Sequence, residues 1–211
     1  EYLMSEPDFL DGQSSMHVLS GLTKLRQICN SPALINENGI SYGDQSAKIQ
    51  ELIEQIEDKK KHHKILVFSQ FVGMLNLVEK ALEERNIPYS ILTGQTKKRK
   101  EVVNAFQEND SIRVFLISLK AGGMGLNLTQ ADYVYLIDPW WNPAVENQAI
   151  DRAYRIGQDK KVVAIRLITP NTIEEKILEL QKRKRELITD LVHTDISTLK
   201  QLNKKELLEL L

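Results

Sequence analysis

The sequence predicts an α/β fold: an open parallel sheet flanked by helices, with a helical N-terminal connector and a C-terminal helical brace. Two observations carry this. Four short apolar runs, "ILVFS", "RVFLIS", "YVYLID" and "VVAIRLI", are rich in β-branched and aromatic residues, which marks strands buried on both faces of a parallel sheet. Helical stretches separate the runs, at residues 71–85, 96–109 and 143–154, and such alternation gives right-handed crossover connections. Ligands in open α/β sheets gather at the carboxyl ends of the strands, where "SQF", "TGQT", "SLKAGG" and "DPWWNP" fall.

The elements follow in order. "MHVLSGLTKLRQICN" places Val18, Leu19, Leu22, Leu25 and Ile28 at helical spacing, and "NSP" ends that helix at Pro32. "NENGISYGDQS" reads as a polar loop. "AKIQELIEQIEDKKKHHK" is a second amphipathic helix with Ile49, Leu52, Ile53 and Ile56 on one face. The strands and helices of the sheet begin at Lys64, with a weaker strand at "YSILT". From Thr172 a charged helix, "TIEEKILELQKRKRELITDLV", starts the brace, and "NKKELLELL" closes it with Asn203 as N-cap. The expected organisation is a connector over 1–45, one α/β domain over 46–170 and the brace over 171–211.

Composition narrows the function classes. The chain has 211 residues, 42% hydrophobic and 27% charged, with a net charge of -1. It lacks an apolar run long enough to span a bilayer, and one cysteine, Cys29, points to a reducing, intracellular setting. A nucleic-acid partner would need a local basic surface, since the whole chain carries no strong positive field. "KKRK" at Lys97–Lys100 and "KRKR" at Lys182–Arg185 are such patches, though solvated helix surface accounts for either. His62 and His63 have no carboxylate or cysteine at metal spacing and read as surface residues; His193 reads as incidental and Cys29 as a small buried residue. No metal site is expected. The opening Glu1 in place of Met suggests a fragment of a longer chain.

Three segments carry candidate chemistry. "SLKAGGMGLNLT" sets Gly122, Gly123 and Gly125 beside Lys120 after a strand. Glycines there either expose amides to an anion or merely make a strand-to-helix turn, and spacing does not choose between them. The chain holds no Gly-Lys-Ser or Gly-Lys-Thr tripeptide, so it lacks a phosphate loop of that kind. "DPWWNP" locks two tryptophans between prolines; one suits the core edge, the other a partner or a stacked base. "AIDRAYRIGQ" puts Arg152 and Arg155 three residues apart, on one face if helical. A solvated face, or pairing with Glu146 or Asp151, is the plain explanation. A helix starting at Pro143, past a strand's carboxyl end, would instead carry both guanidiniums to the functional rim, where they suit a phosphate.

Together and in order, "KILVFSQF", "LTGQTKKRKEVVNAFQ", "VFLISLKAGGMGLNLTQADYVYLIDPWWNPAVENQAIDRAYRIGQ" and "TIEEKILELQKRK" closely resemble the second lobe of the switch/sucrose-non-fermenting (SWI/SNF) family of DNA translocases in helicase superfamily two. "LTKLRQICNSP" looks like that family's connector, so the resemblance covers nearly the whole chain. It implies a RecA-like lobe that shares an ATP site with an N-terminal RecA-like lobe. That first lobe would supply the phosphate loop and the acidic motif for Mg²⁺, so neither ATP nor Mg²⁺ is expected on this chain alone. By resemblance, Arg152 and Arg155 are arginine fingers, and Gly125, Gln148 and Gln158 lie near the nucleotide. Double-stranded DNA backbone would be met by Ser69, Gln70, Gly94, Ser118, Lys120 and Gly122, with Trp141 and Asn142 near the tracked strand. Tyr154 and Met124 depart from the usual family residues without changing the chemistry.

The resemblance implies half of a double-stranded-DNA translocase, monomeric and inactive as an ATPase alone, binding DNA weakly and with steep salt dependence. A standalone nucleic-acid-binding or scaffolding module is the alternative. A strand-separating RNA helicase fits "GLNLT", "DPWWNP" and "RIGQ" less well.

Overall fold

A computed structural model describes residues 12–37, 40–43, 45–122 and 125–190 of the chain. Gly123, Met124, His193 and the "NKKELLELL" segment with Asn203 lie outside the described residues.

Helix α1 (Gly12–Asn30) stops where Pro32 opens a single 3-10 turn, Pro32–Leu34, capped by Ser31 Oγ, which accepts from Ala33 N. Proline fits the first turn because no amide is needed there. The expected loop contains a small antiparallel pair, β1 (Asn36–Glu37) and β2 (Ile40–Ser41), too short to show a period in sequence. Helix α2 (Ala47–Lys59) begins at Ser46, whose hydroxyl accepts from Ile49 N.

The main sheet has five parallel strands: β3 (Ile65–Ser69), β4 (Tyr89–Leu92), β5 (Val114–Ser118), β6 (Tyr133–Leu136) and β7 (Val163–Arg166), in the order β4-β5-β3-β6-β7. Every residue of β3 and β5 is buried, because side chains alternate into two separate cores. Ile65 and Val67 meet Leu52, Ile56, Leu75 and Val78 of α2 and of α3 (Val72–Glu84). Leu66 and Phe68 meet Phe106 of α4 (Arg99–Glu108) and Ala149 of α6 (Pro143–Ile150). Each fully buried Leu, Ile or Phe stabilises by about 1.5–3 kcal/mol. The run "VVAIRLI" is the exception to double burial: β7 pairs only with β6, and its residues alternate between half-buried and exposed.

Two helices differ from expectation in extent. α4 starts at Arg99, since Thr96 closes a turn in which its Oγ1 accepts from Thr93 N. α6 ends at Ile150, short of Tyr154. A one-turn helix, α5 (Leu119–Gly122), follows β5. Helix α7 (Ile173–Asp190) packs on α1 through Val18, Leu22, Ile173 and Ile177. Leu25 and Ile28, expected on the buried face of α1, are 39% and 50% exposed; the buried stripe runs Val18, Leu22, Arg26, at a strict spacing of four. No helix among the described residues is long and apolar enough to cross a membrane.

The winding across the sheet changes sense between the parallel neighbours β3 and β6: from β3 the chain winds toward β4, and from β6 toward β7. The crevice at that switch point is where such sheets bind ligands.

Candidate functional site

At the switch point the Asp138 carboxylate accepts from Ser69 Oγ and from Gln70 N, joining the ends of β3 and β6. Asp138 is 1% exposed, and burial pushes its carboxyl above its ordinary pKa, against the pull of Ser69 and the Arg26 charge. The loop after β6 is held on every side. Lys48 Nζ donates to Ile137 O at 2.7 Å, Arg26 Nη2 to Pro139 O at 2.6 Å, and Gln181 Nε2 to Trp140 O. Trp140 N donates to Glu146 Oε1 at 2.7 Å. Glu146 is fully buried, and it also accepts from Arg166 Nε at 2.7 Å and from Gln181 Nε2. Lys48 completes a buried pair with Glu174 at 2.6 Å and donates to Asn30 Oδ1.

Of the expected nucleic-acid contacts, Gly94 and Lys120 are exposed at the carboxyl rim. Ser69 and Ser118 are partners in register and buried beneath that rim. Gln70 is partly buried with its Nε2 unpartnered, and Gly122 ends α5. Asn142 caps α6, its Oδ1 accepting from Ala144 N. Both tryptophans are partly buried. Trp140 packs on the α4–α6 core and Trp141 on the α1–α7 cluster, which is possible because the loop sits where the two cores meet.

The arginines lie elsewhere. Because α6 ends at Ile150, Arg152 and Arg155 occupy the turns that follow and share no helical face. α6 also runs back along the sheet, so they are not at the carboxyl rim but beside the start of β6. Leu128 N donates to Arg152 O at 2.9 Å, and Gln158 Nε2 donates to Thr129 O and Ala131 O at 2.9 and 2.8 Å. Arg152 is 3% exposed and, among the described residues, has its Nε unpartnered and forms no ion pair; Glu146 is committed to Arg166. Burial lowers the Arg152 pKa, Arg155 lowers it further, and Asp151 opposes both. Arg155 is exposed. Arg155, Tyr154, Ile156, Gln158 and Asn127 line an open concavity of about 700 Å³. Gly125, at the other edge of the glycine loop, has φ +59° and is exposed, as is Gln148 on α6. A buried cation with no ion-pair partner is costly, and guanidinium groups suit anions of several oxygens.

Among the described residues no group of three or more His, Cys, Asp or Glu side chains could hold a metal ion. His63 does have a carboxylate partner, though not one at metal spacing in sequence: its Nδ1 lies 2.6 Å from Asp132 Oδ2, and its ring meets Tyr133 edge-on. The partner is distant in sequence and brought in by β3–β6 pairing.

The comparisons with known proteins agree with this architecture. The model of the helicase conserved C-terminal domain matches residues 47–157. The Sulfolobus solfataricus SWI2/SNF2 ATPase C-terminal domain is 34% identical and superposes with a TM-score of 0.73, over 100% of this chain and 88% of that one. The chain belongs to the SWI2/SNF2 helicase C-terminal domain family. Its fold is the RecA-like lobe of those ATPases. The Sulfolobus ATPase core in complex with double-stranded DNA is 35% identical, with a TM-score of 0.76, covering 99% of this chain and 45% of that one. An ATP-dependent helicase of Schizosaccharomyces pombe is 46% identical over 77% of the chain, which spans 16% of that protein's length.

Arg26, Lys48 and Gln181 carry no motif in the sequence, and Glu146, a candidate partner for Arg152 and Arg155, pairs with Arg166 instead. Arg26 had one signal: it falls four residues after Leu22 on the stripe that Val18 and Leu22 begin.

Proposed function

We propose that this SWI2/SNF2 lobe is the C-terminal half of a DNA-stimulated ATPase that moves along double-stranded DNA, its ATP site completed by an N-terminal RecA-like lobe. The observation that carries the reading is Arg152, buried with its Nε unpartnered and no ion-pair partner within 4.0 Å among the described residues, beside exposed Arg155, in a sequence with no phosphate loop. These guanidiniums meet the phosphates of ATP held by the other lobe and offset the charge that grows on the γ-phosphoryl oxygens; such groups are worth a rate factor on the order of a thousand or more. Gln158 locks the arginine turn to the 129–131 backbone, and Gly125 with Gln148 borders the nucleotide. Mg²⁺ would neutralise phosphate charge when bound, held mainly by the other lobe. At the carboxyl rim, Lys120, Gly94, Gly122 and Gln70 face the DNA backbone first, with Ser69 and Ser118 beneath them. Trp141 and Asn142 shape the loop nearest the tracked strand. The connector (1–45), lobe (46–170) and brace (171–211) serve these two sites, in an intracellular and monomeric protein.

Phosphate release tests this in three proteins: the chain alone, the chain joined to its first lobe, and the joined protein carrying Arg152→Ala. We expect no turnover alone, DNA-stimulated turnover when joined, and a fall of roughly a thousandfold in the variant with nucleotide binding spared. Turnover that survives the substitution refutes the finger role.

A further inference from the structure

Arg26 has a position that neither the strands nor the arginine turn explains. It comes from α1, the connector, yet it is 3% exposed at the switch point of the sheet. Its guanidinium carbon lies 5.6 Å from the Phe71 ring, just past β3, and 5.1 Å from the Trp141 ring, just past β6. Its Nη2 donates to Pro139 O at 2.6 Å. One side chain from the connector therefore grips the carboxyl-end segments of both strands that flank the switch point.

As a device for stability this is a poor arrangement. Burial lowers the pKa of the guanidinium, with Asp138 the largest opposing influence. Among the described residues the group makes no ion pair within 4.0 Å, and its Nε has no partner. An unbranched apolar side chain of similar length would fill the same space without desolvating a charge. A planar fork has what that side chain lacks: two faces for two rings and an edge for a carbonyl, so the three move as a unit.

We propose that Arg26 is a positioning residue that fastens connector helix α1 to Phe71 and to the 138–142 loop, so that DNA stimulation of ATP hydrolysis passes through it. The proposal rests on the reading of the chain as a translocase lobe. The route is continuous. Arg26 holds Pro139 and Trp141; Trp140 N and Gln181 hold Glu146; Glu146 sits on α6, and α6 leads directly into the turn that carries Arg152 and Arg155. Displacement of the connector relative to the sheet either carries this loop along or breaks the grip. Gln70 and Asn142, at the DNA-facing rim, border the same loop.

The test uses the two-lobed protein with Arg26→Met, Arg26→Lys and, separately, Arg152→Ala. For Arg26→Met we expect kcat with saturating DNA to fall about tenfold or more, while DNA-free kcat and the KM for ATP stay within about twofold. The melting temperature should fall by no more than roughly 2–12 °C, the cost of the donor that Pro139 O loses. Arg26→Lys keeps the charge but not the fork, and it should lose most of the stimulation as well. Full DNA stimulation in Arg26→Met overturns the proposal, as does an equal loss of DNA-free and DNA-stimulated turnover with a lowered melting temperature, the mark of plain packing. Should Arg26→Met fail to fold, Arg26→Lys decides: retained stimulation overturns the coupling, selective loss supports it. Arg152→Ala keeps the two questions apart. If it abolishes hydrolysis while Arg26 variants are fully stimulated, only the coupling fails. If Arg152→Ala turns over normally, the translocase reading itself fails.

Discussion

Replacing Lys48 by Met is the sharpest test of how connector, lobe and brace are joined. Lys48 Nζ donates to Glu174 Oε1 at 2.6 Å, to Ile137 O at 2.7 Å and to Asn30 Oδ1 at 3.2 Å. Its side chain is 6% exposed and that of Glu174 is 0% exposed. Met preserves the length of the stem, so the loss is electrostatic: Glu174 keeps only the amide of Thr169 at 2.9 Å, and Ile137 O and Asn30 Oδ1 each lose a donor. Breaking one side of a buried pair costs about 3–5 kcal/mol. At about 2–4 °C per kcal/mol for a chain of this size, the melting temperature should drop by roughly 6–20 °C. Lys48→Met/Glu174→Met removes the stranded charge and should recover most of that loss, since apolar replacement of a whole buried pair is often neutral. Calorimetric unfolding of wild type, both single variants and the double variant reads the coupling directly. A Lys48→Met melting temperature within about 2 °C of wild type, or single costs that simply add, refutes the buried-pair argument.

Two further outcomes follow from packing and burial. Phe106→Ala removes a fully buried ring that packs on Phe115 at 5.0 Å and should cost about 3–5 kcal/mol by urea unfolding; a cost under about 1 kcal/mol contradicts the two-core account. Burial pushes the Tyr135 phenol, which donates to Gln55 Oε1, up to about 12. An unfolded tyrosine titrates near about 10, so above that pH the unfolded chain sheds a proton that the folded chain keeps. Its contribution to stability is complete below pH of about 10 and is lost on the way to about 12. Absorbance titration of native protein should show late-ionising tyrosines, and one shared transition near 10 would contradict this.

The strands were legible because β3, β5 and β6 lie between two helical layers, and apolar residues on both faces leave an unbroken run. The same signature misleads at β7: "VVAIRLI" is apolar, yet as an edge strand it alternates, and Arg166 there serves Glu146. The end of α6 was illegible for a tertiary reason. Ala149 and Ala153 continue the helical period, but Gly157 at φ +97° and the bonds from Gln158 to Thr129 and Ala131 bend the chain into turns. Once the helix stops early and runs back along the sheet, Arg152 and Arg155 leave the rim where their neighbours in sequence stand. The motifs were therefore readable as residue types, and their separation into a carboxyl rim and an arginine turn at the other end of α6 was not. Arg26, Lys48 and Glu146 hid for a simpler reason. Hydrophobic periodicity counts them as surface, whereas each is buried because the 137–142 backbone needs donors and acceptors that water cannot reach.

The most direct measurement of the central claim is the affinity of the two-lobed protein for ADP–aluminium fluoride, a mimic of the phosphoryl-transfer transition state, set against its affinity for ADP. If Arg152 and Arg155 offset charge that appears only in the transition state, Arg152→Ala and Arg155→Ala each lose the tighter binding of the mimic, by about a hundredfold or more, while ADP binding is unchanged. Equal affinity of wild type and both variants for the mimic would contradict the account.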